Sequence, residues 1–404
     1  MLKLGGKVVE IKVDHGSSNL IISVTTNDQL PLVLKSSKAF LVKNSNVPLG
    51  FKHYLFFDHT KNYVSELSQG ENYTILSDNY NYLDNNDIVR LSADGKAIRV
   101  LFRTSSPHNT ILLTEQCNHY CLMCSQPPKD IDDSWILDDV EQLIPLIPRD
   151  TSGIGFTGGE PTYDKKRFLK ILGLTKNYLP NTAIHVLSNG RSFIDLKFTQ
   201  EYSLLDHHDI MIGIPIYSDD PSLHDYIVQA EGAFDETIRG ILNLKKLNQK
   251  VEIRVVLHKL TIPRLKKLCE YIARNLLFVD HVALMGLEMM GFTRANLDEL
   301  WIDPYEYKDE LSAAVKILSG YGITTSVYNH QLCLVNADIK PHYVKSISDW
   351  KNEFAPECTD CSKTNECGGF FSSGIKFKYS SNLRPFKNED TVINTFNLGK
   401  QENV

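Results

Sequence analysis

Three cysteines crowd an eight-residue stretch, Cys117 to Cys124 (CNHYCLMC), at C-x3-C-x2-C spacing straight after the apolar run Thr110 to Thr114. A tetrahedral zinc site wants four ligands, usually as two close pairs. Three thiols on one short loop instead suit a cubane iron–sulfur cluster in which one iron lacks a protein ligand and stays reactive. With 8 Cys in 404 residues, a given Cys meets partners at both offsets by chance roughly 4 times in 10,000, so coincidence explains the spacing poorly. His119 lies inside the loop, but C-x-H-x-C would strain one metal centre, so it is expected to face outward or toward substrate. Four more cysteines, Cys333, Cys358, Cys361 and Cys367, give C-x24-C-x2-C-x5-C in a segment rich in Gly, Asn and charged residues. They suit a structural zinc or a second four-iron cluster, and spacing leaves both open. Cys269 falls on an apolar helical stripe and reads as a small buried hydrophobe.

The elements that must position these groups divide the chain into regions of 1–104, 105–330, 331–375 and 376–404. The first is β-rich. KVVEIKV, NLIISVT, PLVLKS, AFLVKN, HYLFF, DIVRLSA and AIRVLFR are short β-branched or aromatic runs that predict a small sheet or barrel. Asp94-Gly95 supplies a hairpin turn between the last two. Such an appended module serves structure or dimerisation, or docks a peptide on an exposed strand edge.

From residue 110 to 287, strand-like runs alternate with helical periodicity, the pattern of a parallel α/β sheet. Six parallel strands are expected: Thr110 to Thr114, Gly153 to Thr157, Ala183 to Ser188, Ile210 to Tyr217, Val251 to Leu257 and His281 to Met285. Phe168, Ile171, Leu172, Thr175 and Leu179 share one helical face that Pro180 ends, and Leu265, Leu268, Cys269, Ile272 and Leu276 share another. A third stripe, Ile136 to Ile147, should kink or stop near Ile144 because of Pro145. After Gly374 the chain turns polar and reads as a loose tail.

Ligands of such sheets gather at the carboxyl ends of the strands. The cysteine loop follows the first strand, Thr157-Gly158-Gly159-Glu160-Pro161 the second, Ser188-Asn189-Gly190 the third and Tyr217-Ser218-Asp219 the fourth; Arg254 lies on the fifth. Gly158 and Gly159 allow close backbone approach to a ligand, and Glu160 offers a carboxylate for an ammonium. Each motif also has a plain reading. GG before Pro serves as a strand-to-helix turn, SNG as a turn with positive φ, and Arg254 as the partner of Glu252. Glu288, after the sixth strand, faces substrate or forms a salt bridge.

CxxxCxxC after a strand resembles the signature of radical S-adenosylmethionine (SAM) enzymes. Cys117, Cys121 and Cys124 match that family's cluster ligands, and Met123 fills the slot where an aromatic residue near the adenine is more usual. TEQCNHYCLMCSQPPK, TGGEPT, GIPIYSDDPSLHDYIVQA, RVVLHK, ALMGLEM, SISDWKNEFAPEC and CGGFF together resemble the C-type radical SAM maturases of the His-Xaa-Ser repeat system. The likeness covers about residues 105 to 375, and more weakly the segment before it. It implies an α/β fold: a partial (β/α)6 radical SAM barrel with an N-terminal β-rich domain and a C-terminal cysteine-rich extension. It implies a [4Fe-4S] cluster with an open iron site on Cys117, Cys121 and Cys124. SAM would be bound by Met123, Gly158, Gly159, Glu160, Pro161, Ser188, Asn189, Ser218 and Arg254, and an auxiliary [4Fe-4S] cluster by Cys333, Cys358, Cys361 and Cys367. The implied activity is reductive cleavage of SAM to a 5′-deoxyadenosyl radical that modifies a ribosomally made precursor peptide. The implied partners are that peptide, a companion B-type maturase, and an electron donor such as flavodoxin or ferredoxin.

Composition sets the remaining bounds. Hydrophobic residues make up 42% and charged residues 23%, and the net charge of -6 leaves no electrostatic footprint for nucleic acid. The start MLKLGGKVVEIKVDHG has no signal-peptide core and no run reaches 18 apolar residues, so no membrane partner and a cytoplasmic location are expected. In a reducing compartment eight cysteines are more often ligands than disulfides. Two other functions remain at this stage: the same core acting on a small molecule or a tRNA, and a non-catalytic scaffold with zinc at both cysteine groups.

Overall fold

The computed structural model describes residues 2–12, 18–345 and 352–387. The first six residues of the SISDWKNEFAPEC motif and the last part of the expected tail, 388–404, lie outside these.

Strands β1 (Gly5–Lys7), β2 (Glu10–Lys12), β3 (Leu20–Thr25), β4 (Ala39–Leu41), β5 (His53–Phe57), β6 (Tyr73–Leu76), β7 (Ile88–Leu91) and β8 (Ala97–Phe102) form one mixed sheet, ordered β1-β8-β7-β3-β4-β5-β6-β2. Its outer strands are consecutive in the chain. Val8 N–H donates to the Lys96 carbonyl beside β8, and Val9 N–H to Ile75 on β6, so one stretch ties both edges and the sheet curls on itself. Ile22, Leu55, Phe57, Val89 and Ile98 fill the interior. The Asp94-Gly95 hairpin joins β7 to β8, with Gly95 at φ +69°. PLVLKS differs from expectation. Leu32–Lys35 is one helical turn with Leu32, Val33 and Leu34 exposed, because a run without polar alternation, entered from Pro31, has no buried face to give a sheet. Tyr73–Leu76 takes up the missing strand role.

The second sheet contains β9 (Asn109–Leu112), β10 (Gly153–Thr157), β11 (Ala183–Leu187), β12 (Ile210–Pro215), β13 (Lys250–Leu257), β14 (His281–Gly286) and β15 (Thr325–Tyr328). All neighbours are parallel and follow chain order. This is the expected partial barrel, extended by a seventh strand. Thr325–Tyr328 is short and half polar, and only pairing with β14 marks it as a strand. The crossovers carry α1 (Ser134–Leu143), α2 (Lys165–Tyr178), α3 (Leu196–Ser203), α4 (Pro221–Val228), α5 (Ala233–Lys246), α6 (Leu265–Asn275) and α7 (Lys308–Gly320). Phe168, Ile171, Leu172 and Thr175 of α2 are buried, and Asp164 caps that helix by accepting from Arg167 N–H. Helix α1 stops at Leu143 and tightens over Ile144–Leu146 around Pro145. Cys269 is buried in the α6 stripe. Ile154, Phe156, Val186, Ile212 and Val255 point toward the helices and form one core with them; the alternate positions turn to the concave side.

The two sheets share apolar packing, since Ile21, Ile88 and Phe102 join the core of the parallel sheet. Beyond β15, β16 (Asn352–Glu353) pairs with β17 (Phe370–Phe371), which leads into α8 (Ser372–Phe377). The described part of the expected tail packs on the body. Ser380 is buried, Asn382 Nδ2 donates to Asp303, and the Phe386 carbonyl accepts from Ser362 N–H.

Candidate active site

The cysteine loop leaves the carboxyl end of β9 and is fixed at both ends. Buried Asp133, just before α1, accepts from Thr114 Oγ1, Glu115 N–H and Gln116 Nε2. Tyr120 and Leu122 N–H groups donate to the Val228 and Ile227 carbonyls at the end of α4. A segment after β14 closes over the far side. Phe292 N–H donates to the Cys124 carbonyl at 2.8 Å, Thr293 Oγ1 to Met123 at 3.1 Å and Asn296 Nδ2 to Leu122 at 2.9 Å. Gly291, at φ +54°, lies where a Cβ would overlap the Cys124 carbonyl oxygen, so only glycine lets the segment approach. Asp133, Thr293 and Asn296 escape sequence reasoning. The one visible signal for Thr293 and Asn296 is a Gly ahead of short polar residues just past the sixth expected strand.

Cys117, Cys121 and Cys124 line a cavity of about 970 Å³ on the concave side of the sheet, together with His119, Met123, Gly158, Gly159, Ser188, Asn189 and Arg254. His119 is buried in that wall and does not face outward. All three thiols are free. Burial pushes the Cys117 thiol up to about 12, assisted by Glu160 and Cys124, and raises Cys121 further, assisted by its two neighbours; burial also raises Cys124. Thiols so placed stay protonated unless a cation accompanies them, and iron supplies that charge. Among the described residues no group of three or more His, Cys, Asp or Glu side chains is drawn together as around a single ion. The shared wall and the cost of a bare thiolate there fit an iron–sulfur cluster.

The glycine motif sits against this loop. Gly159 N–H donates to the Thr114 carbonyl and Glu160 N–H to Gln116, both at 2.8 Å. A Cβ on Gly159 would overlap the Gln116 carbonyl oxygen. Glu160 itself lies behind the cavity wall. Its Oε1 accepts from Thr162 N–H, Thr162 Oγ1 and Ser188 Oγ, and its Oε2 from Asn189 N–H at 2.6 Å. The carboxylate thereby braces the second motif to the third, although burial raises its pKa against those donors. Pro161 and Ser218 are also buried outside the cavity wall, with Ser218 Oγ accepting from Asp220 N–H. Asn189 remains on the wall, its Nδ2 donating to Asn118.

Arg254 lines the cavity but already has partners: Nη1 donates to Glu252 at 2.6 Å, and Nη2 lies 3.0 Å from Met285 Sδ. Below it the concave side carries a polar floor. Glu252 meets His281 Nδ1 at 2.7 Å and His185 Nε2 at 3.3 Å, and His281 Nε2 meets Ser326. Gly213 leaves room for it, since a Cβ there would press on His185 Nε2 and Arg254 Cδ. Met123 packs with Tyr217, Ile227 and Val228. Glu288 lines the cavity rim.

Cys333, Cys358, Cys361 and Cys367 line a second, small cavity with Phe354, Phe370 and Phe386. Cys333 arrives on the turn Leu332–Leu334, so the long sequence gap closes in space. Leu332 and Gly369 N–H groups donate to Cys367 Sγ at 3.3 and 3.4 Å.

Residues 111–272 match the family model described as the Radical SAM superfamily, so a radical SAM domain is present. No curated protein matches the chain. Among solved structures, the chain is similar to Streptococcus suis SuiB bound to S-adenosylmethionine, at 14% identity and TM-score 0.42, covering 56% of this chain and 47% of that one. It is similar to anSMEcpe with bound AdoMet and Kp18Cys peptide, at 16% and 0.41, covering 54% and 62%. It is also similar to the coproporphyrinogen III oxidase HemN from Escherichia coli, a radical SAM enzyme, at 15% and 0.40, covering 54% of each. The chain thus spans about half to three-fifths of the length of these structures.

Proposed function

We propose that the radical SAM domain at 111–272 works as a SAM-cleaving enzyme that modifies a ribosomally made peptide of the His-Xaa-Ser repeat type. One observation carries the reading: three half-buried thiols, spaced C-x3-C-x2-C, share a cavity with the Gly158-Gly159 and Ser188-Asn189 turns. Cys117, Cys121 and Cys124 would hold a [4Fe-4S] cluster. When bound, cluster and SAM supply a one-electron cleavage that delivers a 5′-deoxyadenosyl radical. The chain's own residues hold and shield. Gly158 and Gly159 keep the backbone low enough for a ligand to lie against the loop, and Ser188, Asn189, Met123 and Arg254 are the groups available to its polar and apolar parts. The Phe292–Asn296 segment and α4 hold the cysteine loop in place beside the cavity. Hydrogen abstraction by a carbon radical needs no general acid or base.

The peptide substrate, the companion B-type maturase and the flavodoxin- or ferredoxin-like donor follow from the motif resemblance. Cys333, Cys358, Cys361 and Cys367 would hold an auxiliary [4Fe-4S] cluster that accepts an electron from the product or touches the peptide; the same four thiols also suit zinc.

Anaerobically reconstituted protein should be brown, carry about two four-iron clusters, and cleave SAM on reduction. Cys121→Ala should abolish that cleavage and Cys269→Ala should not. Colourless protein holding only zinc overturns the assignment. Mass spectrometry of a His-Xaa-Ser precursor coexpressed with and without the protein reads the modification directly.

A further inference from the structure

The large cavity is not built by the parallel sheet alone. Its outer wall is the N-terminal sheet, through Leu4 to Gly6 of the β1 edge and Ala97 to Arg103 of β8. Along β8, Ile98, Val100 and Phe102 turn inward and are buried, while Ala97, Arg99 and Leu101 turn outward. Arg99 pairs in register with Arg90 on β7, so two guanidinium groups stand side by side over the cavity. Asp139 neutralises Arg90 from α1 at 3.1 Å. Arg99 makes no ion pair or side-chain hydrogen bond with any described residue. Glu115, a carboxylate whose charge reaches it, is engaged by Lys129 at 2.8 Å. Arg99 is exposed toward the cavity, so its guanidinium stands free of any counter-charge from the described residues and open to an anion that enters there.

We propose that the space between the N-terminal sheet and the barrel mouth is the substrate's seat, and that Arg99 binds a carboxylate of the substrate there. This rests on the radical SAM reading above. One uncompensated charge matches a singly charged carboxylate, which a guanidinium grips with two parallel hydrogen bonds. The carboxylate belongs to an acidic side chain flanking the modified residue or to the peptide's C-terminus. The N-terminal region accordingly recognises substrate as well as supporting the fold.

The test uses the reconstituted holoprotein with SAM and four fluorescein-labelled His-Xaa-Ser peptides: Glu or Gln in the flank, each with a free or amidated C-terminus. Anisotropy should show the Gln, amidated peptide binding roughly ten- to a hundredfold more weakly than the Glu, free-acid one. Whichever intermediate peptide keeps full affinity identifies the carboxylate. Arg99→Ala should bring the tightest peptide down to the level of the weakest, and Arg99→Lys should restore part of the loss. Equal binding of all four peptides, or undiminished binding by Arg99→Ala, overturns the inference. So does absence of binding by every peptide to protein that still binds SAM. A fall in SAM affinity in Arg99→Ala would reassign the residue to the nucleotide and overturn it too. Wild-type protein that takes up neither cluster nor SAM overturns the reading beneath it, and this inference with it.

Discussion

At the scale of single residues, the site is governed by buried charge. Glu252 is the sharpest case. Burial disfavours its charge, yet contacts from His185 and His281 and the Arg254 charge outweigh that and hold its carboxyl well below the ordinary 4.5. A depressed folded-state pKa adds stability that is fully present above the unfolded value and is lost as pH falls through the range between the two. The wild-type protein should therefore lose stability steadily below about pH 4.5. Glu252→Gln should lack that slope and cost about 3 kcal/mol at neutral pH, because Arg254 is left without its counter-charge. Denaturant titrations at a series of pH values read both effects. A Gln variant with the wild-type acid slope would show that the floor beneath the cavity does not depend on this carboxylate. The cysteine spacing belongs to the same scale: that the three thiols share one short loop was legible in the sequence, because C-x3-C-x2-C fixes their separation along the chain. For Glu160 the position was legible, while its hydrogen-bond partners were not. Its partners come from residues 162 and 188–189, and which side of a loop a carboxylate occupies is not encoded in the motif.

At the scale of elements, the cysteine loop lacks regular structure and takes its rigidity from its neighbours. Thr293 and Asn296 supply two side-chain hydrogen bonds to loop carbonyls. Removing one such bond costs about 1 kcal/mol, a factor of roughly 5 in the closed-to-open ratio of the loop. Asn296→Ala should therefore raise the rate of iron release to a chelator about fivefold, with little change in global melting. An unchanged release rate would mean that Asp133, Phe292, Thr293 and α4 hold the loop without it. The helical stripes on α2 and α6 and all six expected strands were placed within one or two residues, since period and breaker residues act locally. PLVLKS failed because apolar content without alternation does not determine which sheet, if any, receives it. The seventh parallel strand was missed because four half-polar residues acquire strand character only from β14 beside them.

At the scale of the whole molecule, the N-terminal sheet and the radical SAM domain meet around Asp139, which accepts from Arg90 and from Asn19 Nδ2. Arg90 also stacks over Trp135 at 4.9 Å. Asp139→Ala should destabilise the protein by about 2 kcal/mol, less than for a fully buried pair because Arg90 keeps some contact with water. Hydrogen exchange should rise in β7, β8 and α1 together. A rise confined to α1 would mean that the apolar contacts of Ile21, Ile88 and Phe102 hold the two sheets without it. No helix of the described residues is long and apolar enough to cross a membrane.

The sequence by itself determined the alternation of strands and helices, the three-thiol loop and the clustering of motifs at strand ends, because periodicity, turn chemistry and ligand spacing each operate over a few residues. Only the tertiary structure decided which side of the wall each polar group occupies, that Cys333 reaches its distant partners, and that β8 walls the cavity with Arg99. Those facts depend on contacts between residues tens to hundreds of positions apart, whose free energies are set by mutual burial and have no signature in the local order of side chains.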